Sequence, residues 1–500
     1  MKKANKSLGI LIISAGLISS LAACGSNSTG SDGSSTGGNG NKKPVQQEEK
    51  GNTTTPDQQA KEEVYEENGL PKDQKVTLKL AFWENAGGRE WIDKAKDSFT
   101  AKFPNVTFDV TYSPKIDTII GTKIAANDDD DMFDIFSTNI GNNVNPLVDN
   151  NKIEVLDDLW DHKSYDESGK TLKELAQQGT YEVRPRIKGK MYALPISMSG
   201  TGLFFNKNLF EQKGWNQNPK TWTEFNQLVD AIKADGLIPI TYPGQYINYL
   251  EYSLGFAKMF ELAEANGNLE TFTNSFRNHV LPEYTSPEWT EVYQRIYELG
   301  KKGTFPEGVA ALTHTQSQMQ MLQGQAAMVS TGVWVENEMK DSTPADFKWG
   351  YMVIPMTENP DATKYYQTSL SNGHYIWSGK PELNKKWAKE FLVWLWNLDV
   401  QQSVVESGSL PIRADYLTDP QRAAKLQDAP KALLEYLSNN KMMGENGVRN
   451  VTLSDPTVLQ AKKVMDEATN NIVLGKQDPL PKLQEAEALL KKAIDAQAAQ

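Results

Sequence analysis

The stretch "GKMYALPISMSGTGLFFNKNLF", residues 189–210, runs strand-like through Leu203 to Phe205. The period then changes. In "TWTEFNQLVDAIKADG", residues 221–236, Phe225, Leu228, Val229 and Ile232 fall on one helical face. Thr221 and Glu224 form a capping-box pattern at its start, and Gly236 is a plausible stop. The same order recurs on either side. "KVTLKLAFW" (Lys75 to Trp83) reads as a strand, and "REWIDKAKDSFTAKF" sets Trp91, Ile92, Ala95 and Phe99 at helical spacing before Pro104. "NVTFDVTYS" and "FDIFS" read as further strands, and "NKKWAKEFLVWLWN" as a helix with Trp387, Phe391, Leu392 and Leu395 inward. Strand then helix, repeated, predicts an α/β architecture with mostly parallel sheets, which take ligands at the carboxyl ends of their strands.

The amino terminus reads differently. Lys2, Lys3 and Lys6 precede an apolar run from Leu8 to Ala23, the layout of a secretory signal peptide over residues 1–23. Its 16 residues fall short of the ~20 that a membrane-crossing helix needs. Cys24, the only cysteine in the 500 residues, ends the run. A redox, metal or disulfide role needs a partner thiol or a built site, and the sequence displays neither. Residues 24–74 are rich in Gly, Ser and charged groups and poor in apolar ones, so they are expected to form a disordered tether. At ~5–6 Å × √n such a segment reaches roughly 40 Å.

About 425 residues follow, more than one hydrophobic core usually serves, so two domains are expected. Removing residues 1–23 takes away three lysines and no acids, which moves the formal charge from −12 to −15. Such a chain is a poor partner for nucleic acid or anionic lipid head groups.

Catalytic signatures are largely missing. The sequence has no G-x-S-x-G elbow, H-E-x-x-H or Walker loop, and its four histidines (His162, His279, His314 and His374) are not paired at metal-ligand spacing. The run Asp128 to Asp131 offers carboxylates that a hard cation likes. It lacks the alternating spacing and turn glycine of a calcium loop, so it reads as a solvated connection. No cofactor and no metal site are expected. What recurs instead is aromatic and amide-rich segments beside glycine: "FWENAGG", "STNIGNN", "TYPGQYINYLEY", "STGVWVENEMK" and "SLSNGHYIWSG". A neutral sugar has a C–H face that lies on an aromatic ring and a hydroxyl edge that wants planar polar partners. Those loops supply both, although any one of their aromatics could be core packing.

Several segments together resemble the family 1 extracellular solute-binding proteins of bacterial carbohydrate ABC transporters: "NVTFDVTY" after "KFP", "GKMYALPISMSGTGLFFNKNLFEQKGW", "PKTWTEFNQLVDAIKADGLIPIT", "QGQAAMVSTGVW" and "ESGSLPIRADY". The likeness runs from Lys75 to the late 460s. "LTHTQSQ" and "GVWVENEMKDSTPADF" further resemble the subgroup that binds N-acetylglucosamine and its short β-linked oligomers. "LAAC", residues 21–24, resembles the lipobox of bacterial lipoproteins, which implies an acylated Cys24 holding the protein to the outer face of the cell membrane.

The resemblance implies a two-lobed periplasmic-binding-protein-like fold that closes on a neutral oligosaccharide in the cleft between lobes, as a monomer serving permease subunits. Lobe 1 would comprise 75–199 plus 368–404 and lobe 2 would comprise 200–367 plus 405–500, with crossings near Ser199 to Gly202, Gln367 and Val404. Carried over by position, Glu84, Asn85, Thr138 and Asn139 would face the cleft from lobe 1, with Ser197 and Ser199 at the first crossing. Tyr246, Tyr249 and a stacking Trp334 would come from lobe 2, and Asn372, Gly373 and His374 from the return to lobe 1. Maltodextrin binders of the family carry a carboxylate where Ser199 stands, which points away from that ligand. The competing class is a lipid-anchored glycosidase or lyase. It would need two carboxylates across one bond, and Glu84, Glu251 and Glu336 are isolated candidates.

Overall fold

The computed structural model describes residues 63–498, apart from 85–86, 141–143, 167–168, 178, 183 and 372. The expected signal peptide, Cys24 and most of the expected tether lie outside the described residues, as do Asn85 and Asn372. In chain order the strands are β1 (Val76–Trp83), β2 (Val106–Ser113), β3 (Ile135–Ser137), β4 (Ser197–Asn206), β5 (Ile238–Thr241), β6 (Ala326–Gly332), β7 (Trp349–Met352), β8 (Lys364–Ser371), β9 (His374–Ile376), β10 (Leu410–Pro411) and β11 (Met442–Glu445).

Two sheets divide these strands. The smaller has the order β2-β1-β3-β9, with β1 parallel to both β2 and β3 and only β9 antiparallel. Helix Glu90–Lys102 buries the expected Trp91, Ile92, Ala95 and Phe99 against it. Helix Glu382–Trp394 adds Trp387, Phe391 and Leu392, and Leu395 follows it into the same core. The larger sheet has the order β11-β8-β4-β6-β5, with β7 and β10 also on β4. Here the parallel expectation fails. β4 is antiparallel to β6, β7, β8 and β10, because one long strand serves as the partner of four segments that return to it.

The opening stretch explains that role. Leu203, Phe204 and Phe205 are buried in the core of the larger half, each worth roughly 1.5–3 kcal/mol in removed apolar surface. A Cβ at Gly202 would lie 2.7 Å from the Tyr351 ring, so the small residue lets β7 close on β4. Helix Trp222–Ala234 buries Phe225, Leu228, Val229 and Ile232 on the same core. Its Thr221 hydroxyl accepts the Glu224 N–H at 3.1 Å, while Glu224 reaches one residue further than a capping box, to the Lys220 N–H at 2.7 Å. Gly236 takes a φ of +80° just beyond the end.

One boundary differs from expectation, and one crossing is broader than a single point. The folded body begins before Lys75: Val64 bridges to Pro71, Leu70 is buried in the smaller half's core, and the Tyr65 hydroxyl donates to Asn105 Oδ1 at 2.9 Å. Composition places residues 63–74 in the tether because most of their anchoring contacts are backbone and polar ones, with Leu70 the buried apolar residue. The third crossing begins at Val404 and is spread along the chain, because Val404 packs in the smaller half and Val405 and Leu410 in the larger. Ile412 belongs to the core of the smaller half, and the buried Arg413 guanidinium donates to the Trp396 carbonyl at 3.0 Å and pairs with Asp166. The chain already meets the other core at Val405 and Leu410, before Ile412, and stays with it from Tyr416.

Candidate functional site

Between the two halves opens a cleft of about 610 Å³ whose walls come from both sheets. On the smaller half, β1 ends at Trp83, which is 39% exposed, with Glu84 next to it on the cleft. Both sit at the carboxyl end of a parallel strand, where such sheets take ligands. Trp91, in the first turn of helix Glu90–Lys102, meets Phe82 edge-on at 5.4 Å and lines the same wall. Thr138 and Asn139 follow β3 and line an adjoining recess of about 310 Å³ with Gly373 and His374. The Thr138 N–H donates to the Gly373 carbonyl at 3.2 Å, and the His374 ring lies nearly parallel to Phe82 at 6.4 Å.

The opposite wall is aromatic. Tyr249 and Tyr252, three residues apart on helix Asn248–Leu254, have ring centroids 4.8 Å apart. Tyr252 stands edge-on to Trp334 at 5.8 Å, and Tyr249 edge-on to His314 at 4.5 Å. Trp334 directly follows Val333 at the end of β6, so it tops a strand as its sequence suggests. It touches the core of the larger half and lines the cleft as well, which joins the two readings. His314 Nδ1 lies 2.9 Å from Glu338 Oε1, and Gln318 Nε2 donates to Glu338 Oε2 at 2.5 Å. Burial, then the neighbouring Tyr252 and Glu338, pushes the Tyr249 phenol up, and burial does the same to Tyr252. Both remain hydroxyl donors at any physiological pH. The floor is small and polar: Ser199 on β4, Ser369 and Ser371 on β8, and Ser407 to Ser409.

Of the expected site residues, Glu84, Ser199, Tyr249 and Trp334 line the main cleft, and Thr138, Asn139, Gly373 and His374 line its recess. Ser197 lies on β4 between β8 and β10 but is fully buried and off the cleft lining. Tyr246, 50% exposed, stands beside His314 at 6.4 Å and is not on the cleft lining. Trp83, Trp91, Tyr252, His314, Glu338, Ser369 and Ser371 were missed. Most lie inside the aromatic and amide-rich segments picked out from sequence, but Trp91 reads as a core position because it is also buried. The glycosidase candidates are not brought together. Glu336 accepts the Ala429 N–H at 2.6 Å, and Glu251, whose carboxyl burial pushes up, is not on the cleft lining. The acidic run is engaged locally: Asp128 caps the Asp130 N–H at 2.9 Å, Asp129 accepts from Trp377 Nε1 at 2.7 Å, and Asp131 pairs with Lys123 at 2.5 Å.

Residues 94–433 match the family described as bacterial extracellular solute-binding protein. The chain belongs to that family. Among curated relatives, the sn-glycerol-3-phosphate-binding periplasmic protein UgpB of Brucella abortus (strain 2308) is 24% identical over 301 residues, 58% of this chain and 64% of that protein. The diacetylchitobiose binding protein NgcE of Streptomyces coelicolor is 27% identical over 269 residues, 51% of this chain and 55% of that one. The chain thus spans less than two thirds of the length of these relatives. Among solved structures, a chitin oligosaccharide binding protein superposes with a TM-score of 0.62 at 19% identity, covering 84% of this chain and 99% of that one. The mannobiose complex of a binding protein of an ABC transporter from Bifidobacterium animalis subsp. lactis gives 0.58 at 17% identity, covering 85% and 96%. At these identities the structures establish the fold: the solute-binding protein is α/β and two-lobed, with its cleft between the lobes.

Proposed function

We propose that this solute-binding protein captures a neutral oligosaccharide, one carrying N-acetylated rings, for an ABC importer. The observation that carries the reading is the lining of the cleft. Among the described residues it combines Trp83, Trp91, Trp334, Tyr249 and Tyr252 with a floor of serine hydroxyls, and it includes neither lysine nor arginine. Aromatic faces suit the C–H faces of pyranose rings, and hydroxyls and carboxylates suit their O–H and N–H groups. On this lining a phosphate ester would meet Glu84 and Glu338, while Arg89, Lys94 and Lys340 line the adjoining pocket, which speaks against the ligand named for UgpB and in favour of that named for NgcE. Trp83 and Trp334 come from opposite lobes, so closure would place a ring between them.

The same reading has Cys24 acylated after removal of residues 1–23, the intervening chain acting as tether, and permease subunits receiving the loaded, monomeric protein. It assigns the protein no reaction. Calorimetric titration with N,N′-diacetylchitobiose, mannobiose, raffinose and glycerol 3-phosphate tests the ligand class. Binding of a neutral oligosaccharide, recovered uncut after overnight incubation, supports it; binding of glycerol 3-phosphate alone refutes it, and cleaved product revives the glycosidase. For the anchor, Cys24→Ala should release the protein from the membrane fraction, and unchanged fractionation would reject lipidation.

A further inference from the structure

Two Ser-x-Ser motifs, "SMS" at 197–199 and "SLS" at 369–371, lie 170 residues apart in the chain and face each other in the fold. β4 and β8 pair antiparallel with Ser197 opposite Ser371 and Ser199 opposite Ser369, so all four side chains share one face of the two strands that join the lobes. Ser197 is fully buried, while Ser199, Ser369 and Ser371 line the cleft. The opposite face is closed: a Cβ at Gly200 would lie 2.5 Å from Leu433 and 3.3 Å from Tyr366.

The hydroxyl geometry is uneven. Ser199 Oγ lies 2.6 Å from Ser369 Oγ, a short hydrogen bond, whereas Ser371 Oγ lies 3.4 Å from each of the other two. Each hydroxyl has one proton and two lone pairs. The short contact uses one proton, and the two long edges hold the other two weakly. The triangle therefore turns up to two O–H donors and several lone pairs toward the cleft, with no formal charge. A ligand group that donates and accepts from neighbouring oxygens matches this, and the vicinal hydroxyls on the edge of a pyranose do so.

We propose that Ser199, Ser369 and Ser371 form a specificity-determining subsite that reads a diol edge of the ligand at the hinge itself. The proposal rests on the neutral-oligosaccharide reading and adds where one ring sits and what holds it. Serine is also small enough to let a ring lie directly on the strands, so the subsite excludes bulk as well as charge. Because β4 and β8 both run from one lobe to the other, a ring held here contacts the elements that bend on closure.

The test uses the full chain carrying Ser369→Ala, Ser371→Ala or Ser199→Val, titrated with N,N′-diacetylchitobiose, mannobiose and raffinose, with apo melting measured in parallel. Loss of a hydrogen bond to an uncharged group predicts about tenfold weaker binding for Ser369→Ala and for Ser371→Ala. Ser199→Val, which adds bulk, should weaken binding further. The apo melting temperature of Ser371→Ala should stay at the parent value, and Ser369→Ala should lower it only by the small cost of its one bond to Ser199, because both residues border the open cleft. Unchanged affinity in both alanine variants of a sugar-binding parent overturns the subsite and leaves the proposed function standing. Loss of affinity that tracks a loss of apo stability reduces the serines to hinge packing and also overturns it. A parent that binds none of the three sugars overturns both readings.

Discussion

Lys258 and Glu261, three residues apart on helix Phe256–Ala265, hold both backbone polar groups of one residue of a hinge strand. Lys258 Nζ donates to the Tyr365 carbonyl at 2.6 Å, Glu261 accepts the Tyr365 N–H at 3.0 Å, and the two side chains pair at 2.9 Å. Glu261 also accepts the Met356 N–H at 2.6 Å. Both side chains are at most 3% exposed. Burial pushes the Lys258 amine down, and the Glu261 carboxylate works against that. The pair replaces a neighbouring strand at this end of β8 and fixes the hinge to the larger lobe.

Removing one partner strands the other's charge in the core. Lys258→Met should cost about 3–5 kcal/mol of unfolding free energy, and the double change Lys258→Met, Glu261→Gln should cost less than the single one. Urea unfolding of the two variants checks this, and a double variant less stable than Lys258→Met would contradict it.

The Trp334 indole lies over Gly332, where an added Cβ would meet the ring at 2.2 Å. Gly332→Ala therefore pushes the indole out of position without touching any polar group. The expected outcome is loss of most oligosaccharide affinity with a destabilisation of about 1–3 kcal/mol. Trp334→Ala should abolish affinity too, and should cost less than the ~3–5 kcal/mol of a fully buried tryptophan, because Trp334 is only partly buried. Calorimetry of the apo and ligand-bound variants separates a cleft role from a packing role.

Much of this site is legible in the sequence because period and punctuation survive in it. Helix Trp222–Ala234 declares its buried face through spacing alone, and Trp334 declares its place by following the end of a strand. The serine floor does not. Ser369 and Ser371 acquire meaning only through pairing with Ser199 across the fold, and no local pattern records that register. Helix phase sets Tyr252 and not Tyr246 on the cleft, and the start of Asn248–Leu254 carries no cap signal from which that phase could be read. The antiparallel partners of β4 were hidden for the same reason: long-range pairing leaves no mark on the strand itself.

Residues 63–74 are anchored to the smaller lobe's core chiefly through Leu70 and the Tyr65 ring, so removing one of these should loosen them. Leu70 is 7% exposed in the smaller lobe's core, and the Tyr65 ring meets Phe103 at 4.9 Å and Trp387 at 5.8 Å. Asn105 Nδ2 donates to the carbonyls of Pro71 at 3.1 Å and Gln74 at 3.0 Å. Leu70→Ala should cost ~2–5 kcal/mol and raise hydrogen exchange across 63–74, with oligosaccharide affinity unchanged. Exchange as slow as in the parent would show that the segment is held by something else.

His162 Nε2 lies 3.2 Å from Glu390 Oε2, and this contact holds the imidazole above its ordinary value of 6.5. A raised histidine stabilises the fold most when protonated in both states. That stability is fully present below pH 6.5 and is lost as pH rises through the folded value. His162→Gln should flatten the melting profile just above pH 6.5, and a parent-like slope in the variant would exclude this pair as its source.

Lys364, at the start of β8, carries the opposite sign. Burial, with Lys220 and Lys258 nearby, pushes its amine from 10.5 down to about 8, while Nζ donates to the Pro219 carbonyl at 2.8 Å. Between those two values the unfolded chain still holds the proton and the folded one has released it. The unfolded state then binds more protons, so stability rises with pH across that window. Lys258, shifted the same way, adds to the rise. Above pH 10 the buried tyrosines reverse it, because burial keeps Tyr375 and Tyr416 protonated to about 12 while the unfolded phenols ionise at 10. The profile should therefore climb from pH 8 and turn over near pH 10. Lys364→Met, which has no proton to release, should lose much of the climb and keep the turnover. A variant whose climb matches the parent's would show that Lys364 is not the group released.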